Sequence, residues 1–506
     1  MKCNSVKFNK IMQNDGYDSE STLKKRGCLV VEDPKRFPPP YINPILRLAI
    51  YIYMILLTGN FFLGWTGLQE LLYKAGSFEE LCDDSNSEII RIRSTEVIDC
   101  PARKFSINQL YTIQFSTNIS MSFLVGIFLD TFGQKYTFVT GQIISFICVL
   151  LVGIFTKNGI LLRILFFILG GVTESVYLPL TTVSKYFPKN NNFVMAFLGS
   201  VRSLSFFMTS ILSAIYYMPN VKRGALVYII LGYGIISHVA SAVIGIFIVQ
   251  KDFFGISNSK NGSNSTEMLT DNSNKGVEVT SVREKNSTIK RFRGFLNGLV
   301  GTIKTGVHHE IFPQVLLFTV AVSLFVASVE FISMSQREIL RTPTGKSAIG
   351  IFRFTSALIF LPGLLVGYIS DTYGTPKGLL LMQVSLMLTY VCLMFNTYWG
   401  KIMGCIFHLT GGSLFFSIIF FYAYENFPPQ RLGLGIGLIM LVCGIFVLIN
   451  IGIYNAALKY TTPDNFSMVS IVLLAYLTVS VASNSGVMYL KRKKSKQKPE
   501  TNNLTL

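Results

Sequence analysis

The stretch GIFLDTFGQK, which runs from Gly126 to Lys135, places a carboxylate and then a lysine directly after a long apolar run. A similar stretch, GYISDTYGTPK, runs from Gly367 to Lys377 and again follows an apolar run. An apolar run of about 20 residues is long enough to cross a bilayer as a helix. The two stretches therefore predict short polar turns that follow membrane-spanning helices.

The two stretches belong to a longer internal repeat. Matching residues stand 241 positions apart, since 367 − 126 = 241. The matched pairs are Gly126 and Gly367, Asp130 and Asp371, Thr131 and Thr372, Gly133 and Gly374, Gln142 and Gln383, Gly170 and Gly411, and Gly171 and Gly412. So many matches in one order indicate a duplicated six-helix unit, and such repeats are common in transporters.

The composition indicates an apolar environment for most of the chain. Half of the 506 residues are hydrophobic and 14% are charged, whereas a soluble protein usually has about 25% charged residues. Long apolar runs form helices in a bilayer, because lipid offers the backbone no hydrogen bonds. We predict an all-α membrane protein with twelve transmembrane helices arranged as two six-helix pseudo-repeats. The predicted spans are 45–72, 107–129, 136–156, 159–183, 193–217, 224–249, 312–334, 347–370, 377–397, 400–424, 432–454 and 466–490.

These spans divide the chain into five regions. A linker rich in Asn and Ser separates the two halves, and its composition predicts partial disorder because it has little apolar surface to bury. The regions are a cytoplasmic N-terminal segment at 1–44, a six-helix bundle at 45–250, a cytoplasmic linker at 251–310, a second six-helix bundle at 311–490 and a basic cytoplasmic tail at 491–506.

The net charge of +18 is not spread evenly, and basic residues cluster near the two ends of the chain, for example in KRKKSKQK from Lys491 to Lys498. By the positive-inside rule, both termini face the cytoplasm and the loop at 76–104 faces the other side. A basic tail beside a membrane span favours contact with anionic membrane lipids, and no nucleic-acid partner is expected.

Two of the eight cysteines, Cys82 and Cys100, share the loop at 76–104. Because that loop is predicted on the oxidising side of the membrane, a disulfide between them is expected. No spacing of cysteines and histidines suggests a metal site, and no cofactor is expected.

The repeated turn has two interpretations. In the first, Asp130 accepts hydrogen bonds from N–H groups at the start of a neighbouring helix, while Lys135 pairs with acids or lipid phosphate. Gly126 and Gly133 allow close approach and a tight turn. Such contacts form a latch that exists in one transport state and breaks in the other. In the second interpretation, Asp130 only caps the next helix.

The duplication favours the latch, since the second copy repeats Gly367, Asp371 and Gly374 in register. This copy departs from the first because Pro376 stands beside Lys377. The pattern G-x-x-x-D-x-x-G-x-K at 126–135 resembles the loop 2–3 signature of the major facilitator superfamily, and 367–377 resembles its weaker second copy. The resemblance implies that fold and alternating access.

A narrower resemblance starts in the first span. The stretch FFLGWTGLQELLYKAGSFEELC, from Phe61 to Cys82, is followed by Cys100 and NQLYTIQFSTN. It resembles system-L-type facilitative amino-acid transporters (solute carrier family 43) and, more closely, the apicomplexan amino-acid transporters related to them. This resemblance implies amino-acid substrates and a place in the plasma membrane.

Ionisable side chains inside predicted spans are candidates for the substrate site, because burying them in a membrane is costly. Among them we single out Glu174, Arg202, Arg353 and Glu330. In one arrangement an arginine holds the substrate carboxylate through its planar fork, and Glu174 meets an ammonium or a basic side chain. That arrangement favours cationic amino acids. Alternatively, Glu174 and Arg202 form a structural ion pair, or Glu174 couples transport to protons.

The first span adds two candidates, Asn60 and Trp65, which are bracketed by Gly59, Gly64 and Gly67. The glycines suggest a bent helix whose free carbonyls meet the substrate amino group. The alternative is close helix packing through small residues.

The motifs exclude several classes of protein. The sequence has no G-x-x-x-x-G-K-[ST] loop for ATP and no H-E-x-x-H or G-x-S-x-G constellation for an enzyme. We predict a secondary transporter of amino acids, with a preference for arginine and lysine. The alternatives are a carrier of neutral amino acids or other organic solutes, and a nutrient-sensing receptor on a transporter scaffold.

Overall fold

The computed structural model describes most of the two predicted bundles. The described residues are 40–83, 87–93, 95–187, 191–251, 312–413, 415–427, 432–460 and 466–497. Nearly all of the predicted N-terminal segment, the linker after its first residue, and the tail from residue 498 onward lie outside them.

The described chain is almost entirely helical, and we call α1 to α9 the N-terminal half and α10 to α19 the C-terminal half. The helices of the N-terminal half are α1 (Pro44–Thr58), α2 (Trp65–Ala75), α3 (Pro101–Phe132), α4 (Gln134–Ile154), α5 (Gly159–Thr181), α6 (Asn191–Leu204), α7 (Phe206–Tyr216), α8 (Leu226–Gly234) and α9 (Ala240–Ile248). Those of the C-terminal half are α10 (Phe312–Met334), α11 (Gln336–Ile339), α12 (Ile349–Ala357), α13 (Phe360–Tyr373), α14 (Thr375–Met394), α15 (Tyr398–Gly411), α16 (Phe415–Asn426), α17 (Leu432–Val447), α18 (Ile449–Tyr460) and α19 (Ser467–Gln497).

Ten helical segments of the described chain are long and apolar enough to cross a membrane. Two predicted spans are not among the ten: the one at 45–72, which is divided into α1 and α2, and the one at 400–424, which is divided into α15 and α16. A multi-pass helical membrane protein is therefore confirmed, whereas the number of twelve spans and the pseudo-repeat stay predictions.

The first span is interrupted at its glycines and also packs closely on another helix through one of them. The chain leaves α1 after Thr58, makes a short 3₁₀ turn at Phe61–Leu63 and starts α2 at Trp65. Gly67 then packs directly on α7, because a Cβ there would lie 2.4 Å from the carbonyl carbon of Thr209. Only glycine permits such close approach of two backbones.

The loop at 76–104 contains an element that the sequence analysis did not predict. Strands β1 (Glu88–Ile92) and β2 (Thr95–Asp99) form an antiparallel hairpin in which Glu88 pairs with Asp99 and Ile92 with Thr95. We call the end of the bundle that carries this hairpin the hairpin end. The opposite end, where Gly133 joins α3 to α4 and Gly374 joins α13 to α14, is the turn end.

The two halves meet along α3 and α17, and their polar contacts lie toward the hairpin end. Ser116 Oγ donates to the carbonyl of Gly444 at 2.7 Å, and Thr66 Oγ1 donates to Gln336 Oε1 at 2.5 Å. These contacts place buried polar side chains between the two halves.

Candidate functional site

Glu174 on α5 and Arg202 on α6 form a buried ion pair within the N-terminal half. Arg202 Nη2 lies 2.5 Å from Glu174 Oε1, and Nη1 donates to Oε2 at 3.3 Å. The guanidinium also donates to Asn60 Oδ1 at 3.0 Å and lies 4.2 Å from the centre of the Tyr177 ring. Three of the predicted site residues are thus brought together, and the carboxylate of Glu174 already has a cation.

Two helix breaks position this pair. Asn60 stands in the gap between α1 and α2, and its backbone N–H donates to Ser205 Oγ at 3.0 Å. Ser205 stands between α6 and α7, directly after the helix that carries Arg202. Backbone groups freed at a helix end need partners, and the break between α6 and α7 supplies one to the break between α1 and α2.

Trp65 belongs to a different network, which crosses between the halves. Its Nε1 donates to Asn108 Oδ1 at 3.3 Å, and Gln69 Nε2 donates to the same oxygen at 2.8 Å. Asn108 Nδ2 in turn donates to the hydroxyl of Tyr454 on α18 at 2.7 Å. Trp65 therefore helps to fix an amide that links α3 to the C-terminal half.

Glu330 on α10 is fully buried between the halves. It accepts a hydrogen bond from Thr112 Oγ1 of α3 at 2.8 Å and a second from Asn450 Nδ2 of α18. Both donors are neutral, and Glu330 forms no ion pair with any described residue. Glu330 therefore resembles Glu174 in being a buried carboxylate, but it lacks the arginine that pairs with Glu174.

Arg353 lies at the hairpin end, away from Glu174. Its Nη2 is 2.5 Å from Oε1 of Glu70, a buried carboxylate on α2. Arg93, from the tip of the hairpin, donates its Nε to Glu70 Oε2 at 2.9 Å. The structure thus assigns Arg353 to a cross-half ion pair whose acidic partner the sequence analysis did not single out.

Two further carboxyl groups, those of Glu338 and Asp99, lie at the hairpin end. Glu338 on α11 is nearly buried, and burial raises the pKa of its carboxyl from 4.5 to about 7, although Lys104 counteracts part of this shift. Asp99 at the end of β2 also has a raised pKa through burial, and Lys104 Nζ lies 3.5 Å from its Oδ2. The hairpin end therefore carries two carboxyl groups with raised pKa values, that of Glu338 lying at about 7.

The predicted latch is only partly described. Gly133 and Gly374 both have positive φ, 84° and 91°, in the turns that the repeat predicts. Asp130 and Asp371 stand near the ends of α3 and α13, but their side chains lie outside what the structure describes, so the latch contacts stay a prediction. A Cβ at Gly126 would have no described atom within 4 Å.

The remaining members of the turn motif add one unexpected contact. Lys135 is half-buried at the start of α4, and Gly367 lies within α13. In the second turn, Thr375 at the start of α14 donates its backbone N–H to Glu425 Oε1 at 3.1 Å. In the second copy of the turn, a carboxylate therefore accepts a hydrogen bond from the first turn of the following helix. That carboxylate belongs to Glu425 on α16 and not to the motif aspartate.

The two cysteines of the loop at 76–104 are joined. Cys82 and Cys100 form a disulfide with a Cα–Cα distance of 5.6 Å, and the hairpin lies between them. Within the described ranges, no group of three or more histidine, cysteine, aspartate or glutamate side chains could hold a metal ion.

Several functional candidates were missed from the sequence. Glu70 offered a signal, because it is a charged residue inside the predicted span at 45–72. Thr112, Asn108 and Asn450 offered none, because neutral polar side chains are common in spans and only their position between the halves distinguishes them.

Comparison with known proteins places the chain among membrane transporters. Amino acid transporter 6-1 of Toxoplasma gondii is 23% identical over 82% of this chain and 74% of that protein. Cationic amino acid transporter 8 of Plasmodium berghei is 22% identical over 90% of this chain and 91% of that protein. Aromatic and large neutral amino acid transporter 5-3 of Toxoplasma gondii is 22% identical over 88% and 84%.

Solved structures share the fold. The POT family transporter PepTSo superposes with a TM-score of 0.57 at 11% identity, covering 90% of this chain and 99% of that one. The nucleoside transporter NupG gives a TM-score of 0.54 at 14% identity, covering 88% and 100%. Residues 91–451, well over half of the chain, match the family described as Major Facilitator Superfamily. The chain therefore belongs to the Major Facilitator Superfamily and is a membrane transporter, not an enzyme.

Proposed function

We propose that this protein carries amino acids across a membrane by alternating access and that it prefers cationic amino acids. The names of the relatives support amino acids as the substrate class. They do not agree on the subclass, since one names cationic and another aromatic and large neutral amino acids. The preference within the class must therefore be argued from the side chains of this protein.

The observation that carries the cationic preference is the environment of Glu330. This buried carboxylate has two neutral donors, Thr112 and Asn450, and no described cation beside it. A buried carboxylate without a counter-charge is costly. The ammonium or guanidinium group of a substrate side chain supplies the missing charge.

Glu174 is the weaker candidate for this role. From the sequence, the preference for arginine and lysine depended on Glu174, but Arg202 holds both oxygens of that carboxylate. A substrate cation would have to displace a bidentate, buried guanidinium, whereas Glu330 offers its charge without displacement.

The position of Glu330 also suits alternating access. One of its donors, Thr112, belongs to the N-terminal half, and the other, Asn450, belongs to the C-terminal half. When the halves rock against each other, the environment of this carboxylate changes with the state. Glu330 can then bind a cation in one state and release it in the other, and a proton is the rival cation.

The orientation and location belong to the same proposal. We place the hairpin end outside and the termini in the cytoplasm of a cell with this protein in its plasma membrane. The disulfide at the hairpin end is in keeping with an oxidising outer face, and the basic residues after Lys491 are in keeping with an inner one.

Uptake by the purified full-length chain in proteoliposomes tests the proposal. Labelled arginine, leucine and glucose are offered separately, with and without a proton gradient, to the wild type, Glu330→Gln and Glu174→Gln. We expect saturable arginine uptake that lysine inhibits. Glu330→Gln should lower arginine kcat/KM at least about tenfold, the scale of one charge-assisted contact, while Glu174→Gln should alter protein yield more than selectivity.

The outcomes separate the alternatives. Leucine uptake that survives Glu330→Gln would retain the amino-acid transporter and reject the cationic preference. Loss of stimulation by the proton gradient in Glu330→Gln, with selectivity unchanged, would make the proton its ligand. Glucose uptake alone, or ligand binding without flux in sealed vesicles, would overturn the proposed function.

A further inference from the structure

The carboxylate of Glu70 is surrounded by three arginines. Oε2 accepts hydrogen bonds from Arg93 Nε at 2.9 Å and from Ser213 Oγ at 2.5 Å. Oε1 accepts from Arg353 Nη2 at 2.5 Å, and Arg337 Nη2 lies 3.9 Å away. One negative charge therefore faces three positive ones at the hairpin end.

These arginines have donors to spare. Arg337 directs its Nε to the neutral Gln69 Oε1 at 2.9 Å. Arg353 Nε is buried and has no hydrogen-bond partner among the described residues. A guanidinium has five N–H donors and binds a carboxylate best through two parallel hydrogen bonds. The cluster can therefore accept a second carboxylate.

The members of the cluster divide between the two halves. Glu70, Ser213 and the hairpin residue Arg93 belong to the N-terminal half, whereas Arg337 and Arg353 belong to the C-terminal half. Alternating access requires the halves to separate at the hairpin end in one of its states. Glu70 then keeps Arg93 and Ser213, but Arg353 and Arg337 lose their carboxylate.

Arg353 and Arg337 are mostly buried while the halves are together, with 23% and 16% of their side chains exposed, so both depend on this carboxylate in the closed arrangement. Removing one partner from a buried ion pair leaves the other charge uncompensated. Another carboxylate that arrives as the hairpin end opens would restore the balance. The α-carboxylate of an amino acid has the same planar geometry as the Glu70 carboxylate.

We propose that Arg353 exchanges partners during transport, holding Glu70 when the hairpin end is closed and the substrate α-carboxylate when it is open. Arg353 is then a specificity-determining residue that requires a free carboxylate on the substrate, and Glu70 is its built-in competitor. This inference rests on the proposed amino-acid substrates, but it holds for cationic and neutral ones alike.

Substrates with and without a carboxylate test the exchange. Proteoliposome uptake of arginine is measured with competition by arginine and by agmatine, which is arginine without its carboxylate. In the wild type, arginine should compete at least about tenfold better than agmatine. Arg353→Gln should reduce that ratio to about threefold or less, chiefly by weakening arginine. If leucine is the substrate instead, leucine and leucinol replace them.

Three further variants sharpen the test. Arg93→Gln is the matched control, because Arg93 holds the same carboxylate but stays with it when the halves separate, so the ratio should remain near that of the wild type. Glu70→Gln should lower the KM for arginine, since it removes the competitor. The double variant Glu70→Gln with Arg353→Gln removes both members of the ion pair that joins the halves, while Arg93 and Arg337 keep their charges. It should show the lost ratio even if Arg353→Gln folds poorly.

The two proposals fail in different ways. If the wild type carries amino acids but Arg353→Gln weakens arginine and agmatine equally, the exchange is wrong and the ion pair only closes the hairpin end. The same conclusion follows if Arg93→Gln loses discrimination as fully as Arg353→Gln. If the wild type carries no amino acid, the proposed function fails and this inference fails with it.

Discussion

Glu174 in the N-terminal half and Glu330 in the C-terminal half are both buried carboxylates, but their partners differ. Glu174 on α5 is held by Arg202 on the neighbouring helix α6 of the same half. Glu330 is held by neutral donors, Thr112 from one half and Asn450 from the other. The first arrangement is complete within its half, and the second exists only while the halves are together.

The difference separates a charge whose partner lies in its own half from a charge whose surroundings depend on how the two halves are arranged. An ion pair inside one half can persist through every transport state, because the half moves as a unit. A carboxylate whose donors come from both halves changes its surroundings each time the halves rock. Burial alone therefore does not distinguish the two carboxylates, whereas the origin of their partners does, and this difference supports the role proposed for Glu330.

The largest effect should come from breaking the pair in the N-terminal half. Arg202→Ala leaves Glu174 buried without its cation, a change that costs about 3–5 kcal/mol. We expect a marked fall in the thermal stability of the detergent-purified protein. The measurement is size-exclusion chromatography of the protein that remains folded after heating. The double variant Glu174→Gln with Arg202→Gln should recover most of the loss.

Glu330→Gln is the comparison within this experiment, and it should be almost as stable as the wild type because its donors are neutral. Equal losses in Arg202→Ala and Glu330→Gln would remove the distinction between the two carboxylates.

The next effect compares the two turns of the repeat. Gly133 and Gly374 both combine a positive φ with an extended ψ, 172° and 149°, so alanine at either costs about 1–3 kcal/mol. A Cβ at Gly133 would also lie 2.1 Å from the carbonyl oxygen of Lys251, whereas at Gly374 the nearest atom is Pro376 Cδ at 3.9 Å. Gly133→Ala should therefore reduce thermal stability and uptake more than Gly374→Ala; a larger effect of Gly374→Ala would show that contacts across the second turn matter more.

A smaller effect is expected from one hydrogen bond to Glu330. Thr112→Val removes a donor to that carboxylate and should raise the KM for arginine about tenfold or slightly more, since a hydrogen bond to a charged group is worth roughly 1.5 kcal/mol or slightly more. Thr117→Val is the control, because the Thr117 hydroxyl donates to carbonyls of its own helix. Equal changes in KM for both variants would mean that Thr112 acts through helix packing.

The smallest effect should be the pH dependence contributed by Glu338. Burial raises the pKa of this carboxyl to about 7 in the closed hairpin end, where Lys104, Asp99, Arg337 and Tyr454 face it. A raised carboxyl pKa stabilises the closed arrangement at acidic pH, and that stabilisation is lost as pH rises from about 4.5 through 7. Thermal stability should therefore fall over this interval in the wild type and fall less in Glu338→Gln, whereas identical pH profiles would exclude Glu338.

Much of the fold was predictable because the membrane imposes simple rules. Long apolar runs must be helices, and the boundaries of α4, α5 and α10 fall within a few residues of the predicted spans. The hairpin was missed, since five-residue strands inside a short polar loop give little periodic signal. The division of the first span at Gly59 and Gly64 was suggested by the glycines, but the partner that requires close packing, Thr209, was not.

The sequence by itself determined a multi-pass helical transporter, because composition, apolar run length and the repeated turn depend only on local order. It also supplied the ionisable residues inside the spans. Only the tertiary structure decided which of them meet: Arg202 with Glu174, Arg353 with Glu70, and Glu330 with neutral donors alone. The physical reason is that the energy of a buried charge depends on its neighbours in space, and those neighbours come from helices far apart in the chain.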